Sequence, residues 1–155
     1  MAEQVTSSQV KSELSQTNKA IALRYAKEGW GTQPHWEKVW DELVAPDIVL
    51  HFNSLPESIV GLEANKAFSK ELFEGFPALH NTIEDIVAEG DTIIYRSTLE
   101  GKQTGPFLGM PATGKKVTMN DFTMVKIKDG KIKEQWYETN LLSLMQQLGL
   151  APESK

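Results

Sequence analysis

The chain changes its hydrophobic period once, close to residue 80. Before that point apolar residues recur at helical spacing, and after it they alternate with polar ones. In NKAIALRYAKEGW (18–30), Ile21 and Tyr25, with Ala22 and Ala26, keep a helical interval until Gly29 and Gly31 end it, which predicts a first helix. Thr32 stands where a cap for a second helix belongs and Pro34 falls in its first turn. Trp36, Val39, Trp40 and Leu43 then follow at i, i+3, i+4 and i+7. Pro46 closes that helix, and DIVLHF (47–52), short and β-branched, reads as a brief strand. A third helix runs from about Gly61 to Glu74, carrying Leu62, Phe68, Leu72 and Phe73, and stops at Gly75 with Pro77 beyond.

The second half reads as four strands: HNTIEDIVAEG (80–90), DTIIYRSTLEG (91–101), KKVTMNDFTMVKIK (115–128) and KIKEQWYETN (131–140). EGD, GPFLGMPATG and KDG between them have turn chemistry. Three helices followed by an antiparallel meander predict an α+β domain with the helices on one face of a curved sheet. Residues 1–15 are polar and predicted to be a flexible N-terminal segment; residues 16–150 form the single domain.

Composition narrows the function. The chain of 155 residues has no cysteine, which removes thiolate nucleophiles, disulfides and cysteine-ligated metal, and suits a reducing cytoplasm. Twenty-one acidic against sixteen basic residues give a net charge of -5, with lysines scattered except Lys115-Lys116, so no nucleic-acid partner is expected. No apolar run approaches the ~20 residues of a membrane span, and MAEQVTSSQVKSELSQ lacks the apolar core of a signal peptide. The expectation is a cytoplasmic protein that binds neither nucleic acid nor membrane.

GMPATGKK (109–116) fits seven of the eight positions of the phosphate-loop pattern GxxxxGK[ST], but Lys116 replaces the magnesium-binding hydroxyl. The segment that follows reads as a strand, not the helix whose N-terminal amides would face phosphate. A turn is the better reading. His35 and His80 have no acid at metal-ligand spacing, and no metal and no cofactor is expected.

GPFLGMPATGKKV (105–117) and KDGKIKEQWYETNLLSLMQQLG (128–149), with FPALHNTIEDIVAEGD (76–91) upstream, resemble the SnoaL-like polyketide cyclase, or predicted ester cyclase, family. The likeness spans about two-thirds of the chain. It implies the cone of the nuclear-transport-factor-2-like superfamily: a barrel-like, mostly antiparallel sheet closed over by three N-terminal helices around an apolar cavity. It also implies a homodimer paired sheet to sheet, with Trp136 on the outward face. Such cyclases work without metal or cofactor, through a carboxylate base that removes a proton beside a carbonyl. Burial favours such a base by raising its pKa, and fixed donors hold the enolate oxygen.

Aligned on DGKI and QLG, the family's base aspartate falls on Tyr137, its supporting histidine on Thr123 and a further histidine on Gln103. The last-strand motif of Trp followed four residues later by Asp falls on Trp136 and Asn140. Asp121 lies two residues before Thr123 and therefore on the same strand face, which makes it the remaining carboxylate for base duty. Tyr137 is a candidate oxyanion donor and His51, beside Asn53 at the expected mouth, a second candidate base. Trp36, Trp40, Phe73, Phe107, Met110 and Met119 supply candidate apolar lining, with Gln103, Thr123, Gln135 and Asn140 as polar contacts. Two functions stay open: a cofactor-independent lyase or isomerase of polyketide-cyclase type acting on a hydrophobic carbonyl compound, and a non-catalytic carrier of a hydrophobic small molecule. A third, a scaffold assembling through its outer sheet face, draws on Trp136.

Overall fold

The computed structural model describes residues 4–153. In chain order it contains α1 (Ser7–Glu28), α2 (Trp36–Leu43), β1 (Val44–Phe52), β2 (Ile59–Val60), α3 (Leu62–Gly75), β3 (His80–Glu89), β4 (Thr92–Lys102), β5 (Lys116–Lys128), β6 (Lys131–Glu138) and α4 (Leu141–Gln147). Six strands form one sheet in the order β2-β1-β6-β5-β4-β3, antiparallel except where β1 runs parallel to β6. The α+β cone is as expected, but the sheet does not close: β2 and β3 are free edges.

β5 shows why the sheet has two chemistries. Its inward residues Val117, Met119, Asp121, Thr123, Val125 and Ile127 are all buried, whereas their neighbours mostly face out. The β5–β6 hairpin turns through Asp129 and Gly130, both at positive φ, the two-residue geometry that matches strand twist. The core lies between helices and sheet as two clusters. One packs Ala22, Tyr25, Trp40 and Leu43 of α1 and α2 on Ile48, Ile93, Val125 and Ile132. The other packs Phe76, Leu79 and Leu99 against Phe107, Met110, Met119, Leu144 and Leu148. Each fully buried aliphatic or aromatic side chain contributes about 1.5–3 kcal/mol relative to exposure.

Several element boundaries differ from expectation. α1 begins at Ser7, so residues 7–15 are helical rather than flexible, while residues 1–3 of that segment lie outside the described residues. Its first half lacks an apolar stripe and is held by polar contacts instead. Thr6 and Gln9 form a reciprocal capping box, and Ser15 and Asn18 bond Gly90 at the β3–β4 turn. Thr32 does not cap α2, which starts at Trp36 behind His35 without a side-chain cap. Pro46 lies inside β1, where the register with β6 shifts between Val44 and Val49 and no ladder donor is needed. A fourth helix, α4, joins the three expected ones. Asn140 caps it, and the Gln147 amide bonds both the N–H and the carbonyl of Thr118, standing in for a strand where β6 has ended. Among the described residues, no helix is long and apolar enough to cross a membrane.

Candidate functional site

Between the concave face of the sheet and α1–α3 lies a pocket of about 80 Å³. Strand register builds its floor. Ser97 of β4 stands opposite Asp121, Tyr95 opposite Thr123, Thr123 opposite Tyr137 of β6, and Gln135 opposite Leu50 of β1. Each of these residues lines the pocket, as do Leu99 and, from β3, Asn81. Opposite partners on neighbouring strands point the same way, so one inward residue fixes the rest.

Asp121 is completely buried. Its Oδ2 accepts a hydrogen bond from the Tyr137 hydroxyl, and its Oδ1 has no hydrogen-bond partner, the nearby Thr139 hydroxyl being turned to Met119 Sδ at 3.7 Å. Burial pushes its carboxyl above the ordinary value of 3.8, against the opposing pull of the Thr139 and Tyr137 hydroxyls. Burial first, and then the charge of Asp121, raise the Tyr137 phenol well above 10, so the shared proton stays on the phenol. Tyr25 and Tyr95 are also raised by burial; Tyr25 donates to Gln135 Oε1 at 2.9 Å, and Tyr95 is tempered by the Thr123 hydroxyl. The floor therefore presents one acid among neutral hydroxyls and amides. No lysine, arginine or histidine lines this pocket. A negative charge on Asp121 thus has no counter-ion there, which disfavours a second anion in the same space. Among the described residues, no group of three or more potential metal ligands occurs.

The helical side is aromatic. Trp40 and Trp30 line the pocket with their indole N–H groups committed to the carbonyls of Gly29 and Leu79, at 2.8 and 2.7 Å, so they offer surface and not donors. Phe68, Leu72 and Phe73 of α3 are only partly buried and form the rim. Phe73 is seated because residue 31 is glycine: a Cβ there would lie 1.9 Å from the ring.

Of the residues singled out from sequence, Asp121, Tyr137, Thr123, Gln135, Trp40 and Phe73 meet in this pocket. Trp36 stands just behind, edge-on to Trp40 and Phe73. The others lie elsewhere. His51 is on the outer face, stacked on Trp136, with Nε2 2.7 Å from Glu134 and Nδ1 2.9 Å from the Ser58 hydroxyl. Asn53 bonds Glu138 nearby. Gln103, fully buried, accepts from the Thr113 N–H and hydroxyl and clamps the 103–115 loop. Phe107, Met110 and Met119 belong to the second core cluster, and Asn140 caps α4. Tyr25, Asn65, Asn81, Tyr95 and Ser97 were not singled out. The alternation of DTIIYRSTLEG, counted in register from Asp121, would have found Tyr95 and Ser97.

A profile described as SnoaL-like polyketide cyclase matches residues 20–148. Among solved structures, the chain is similar to a candidate SnoaL-like polyketide cyclase from Jannaschia sp. CCS1, at 34% identity over 97% of this chain and 100% of that one, with a TM-score of 0.85. It shares its fold with IdmH, a candidate polyketide cyclase from Streptomyces antibioticus (24% identity, 85% and 98% covered, TM-score 0.71). It shares it also with AclR, a candidate hydroxylase from Streptomyces galilaeus (23%, 91% and 90%, 0.76). No curated protein matches the chain.

Proposed function

The chain belongs to the SnoaL-like polyketide cyclase family, and from that premise we propose that it is a cofactor-independent cyclase or isomerase of a neutral, hydrophobic carbonyl compound, with Asp121 as general base. The observation that carries this reading is the state of Asp121: buried, one oxygen held by Tyr137, the other unpaired in a pocket otherwise lined by neutral groups. Burial raises the Asp121 pKa and so makes its carboxylate a stronger base than a solvated one. In the proposed step, Asp121 Oδ1 takes a proton from the carbon beside the substrate carbonyl, and the C–H electron pair moves into the enolate. The Tyr137 donor is already spent on Asp121, so the enolate oxygen falls to the hydroxyls of Ser97, Tyr95 and Thr123. The enolate carbon then attacks a second carbonyl of the same molecule, and Asp121 returns its proton to the new alkoxide. Product and substrate are isomers, and no electron carrier is needed.

The second reading, a non-catalytic carrier of the same kind of molecule, draws on the absence of histidine from the pocket lining. One experiment separates them. Loss of deuterium from the α-carbon of labelled aryl ketones is followed by NMR for the wild type and Asp121→Asn. The enzyme reading expects exchange that the variant abolishes while its melting temperature holds or rises, because a buried charge has been removed. Exchange that survives in Asp121→Asn removes Asp121 as the base, and exchange that the wild type does not accelerate across the ketone series supports the carrier.

The assembly proposed is a homodimer through the outer sheet face. Val87, Ile94, Met124, Trp136 and His51 are successive register partners across five strands, forming one lateral row. Beside it Phe122 is 53% exposed. Its four apolar members, Val87, Ile94, Met124 and Trp136, with Phe122 beside them, favour a cover.

A further inference from the structure

Among the described residues, two buried side-chain atoms have no hydrogen-bond partner, Asp121 Oδ1 and Asn81 Oδ1, and both belong to residues lining the same pocket. Chance placement would not favour that coincidence, since buried acceptors are nearly always satisfied. The proposed chemistry uses the first and leaves the second without a role. The Asn81 amide is not free to turn: its Nδ2 donates to the Ala26 carbonyl of α1 at 3.2 Å, which leaves Oδ1 as the unpartnered acceptor.

Asn81 pairs with Leu99 on β4, and Ser97, two residues before Leu99, pairs with Asp121 on β5. Asn81 and Asp121 therefore stand two strands apart and two residues along, about 12 Å between Cα atoms on an ideal sheet. Both aim at the concave side. A single ring, with a hydrogen bond at each end, is the right scale for that gap. Tyr95, Ser97 and Leu99 form the floor between them.

We infer that Asn81 is a specificity-determining residue of this pocket: its Oδ1 accepts a hydrogen bond from a hydroxyl or N–H on the substrate, at the end opposite the carbon that faces Asp121. The inference rests on the proposed placement of substrate against Asp121. It names the substrate class more narrowly, as a ring compound with a donor remote from the reacting carbonyl. A carbonyl or carboxylate at that end is rejected, because two acceptors would face each other without a proton.

The test uses three probes of nearly one size with two, one and no donors: hydroquinone under anaerobic conditions, 4-methylphenol and 1,4-dimethylbenzene. Affinities are measured by tryptophan fluorescence for the wild type, Asn81→Leu and Asp121→Asn. Comparing each ratio between wild type and variant cancels the probes' own difference in hydrophobicity. Asn81→Leu should lower the hydroquinone to 4-methylphenol ratio about three- to tenfold, the worth of one hydrogen bond, and leave 4-methylphenol itself unchanged. An unchanged ratio overturns the inference. Separately, Asp121→Asn should lower the 4-methylphenol to 1,4-dimethylbenzene ratio; if only that ratio holds firm, the base assignment fails while the Asn81 result stands. Should none of the probes bind at millimolar concentration, both fall. Should Asn81→Leu not fold, the side-chain amide resonance of Asn81 in the wild type serves instead: it should move with hydroquinone and not with 4-methylphenol, and equal movement with both overturns the inference.

Discussion

Replacing Tyr137 by Phe takes one hydroxyl from the pocket floor and keeps the ring, which packs on Phe52 with centroids 5.2 Å apart. That hydroxyl is one of the two that ease the burial of Asp121, whose Oδ1 already has no partner. A hydrogen bond to a charged group contributes about 1.5–3 kcal/mol and a neutral one about 0.5–1.5 kcal/mol. Tyr137→Phe should therefore cost about 2 kcal/mol where Asp121 is ionised and about 1 kcal/mol where it is protonated. At this chain length 2 kcal/mol lowers the melting temperature by about 4–8 °C. The sign with pH follows from the direction of the bond. Tyr137 holds the Asp121 pKa down against burial, so without it the folded carboxyl keeps its proton to still higher pH. Below 3.8, the ordinary value, both proteins fold with Asp121 protonated and the gap between them is smallest. As pH rises through the folded pKa of the wild type and then of the variant, the gap widens to its full size. Urea unfolding from about pH 4 to about pH 8 measures it. The same substitution made in Asp121→Asn should cost about 1 kcal/mol at every pH. A gap that ignores pH, or is equal in the two backgrounds, would show that Tyr137 does not hold a carboxylate, and the base assignment would go with it.

Gln103→Leu should destabilise the fold by about 1–3 kcal/mol by leaving the partly buried Thr113 N–H and hydroxyl of the 103–115 loop without their acceptor, while 4-methylphenol affinity stays as it was. Unimpaired stability in urea, or lost affinity in a stable variant, would move Gln103 into the site. For the proposed dimer, light scattering at micromolar concentration should return twice the chain mass of 17.3 kDa for the wild type, and the single mass for Phe122→Glu with its pocket affinities unchanged. A monomeric wild type counts against the outer-face assembly.

The parts of this molecule that sequence displays well are those where one simple periodicity governs the chain. β5 alternates without a break, so Asp121 and Thr123 are assigned to the inner face from the pattern alone. The same parity, applied to LHF, places Leu50 and Phe52 inside and His51 outside, and His51 does lie on the outer face. The first half of α1 has no apolar stripe to read, because polar contacts at Ser15 and Asn18 hold it. β2, two residues long, is too short to carry a period. Gln103 shows the opposite limit: a fully buried amide that serves a loop is, in sequence, indistinguishable from one that serves a ligand. Tyr95 and Ser97 carry no charge to draw notice and become visible only through their register with Asp121.

The place of β6 in the sheet has a consequence for the order of folding. β6 lies between β1, some 80 residues earlier in the chain, and the β3–β5 meander, and it supplies Gln135 and Tyr137 to the pocket. β3, β4 and β5 can pair with their neighbours as soon as each is made, but β1 has only the two residues of β2 beside it until residue 131 onward arrives. Closing that span is a long-range step whose entropic cost precedes its reward, and such steps slow folding. Until it is complete, Leu50 and Phe52 of β1 lack Gln135 and Tyr137, and Asp121 lacks its phenol. A nascent chain halted short of Tyr137 would thus hold an intact meander with an unheld acid and an open strand edge, a form prone to capture by chaperones or by its own kind.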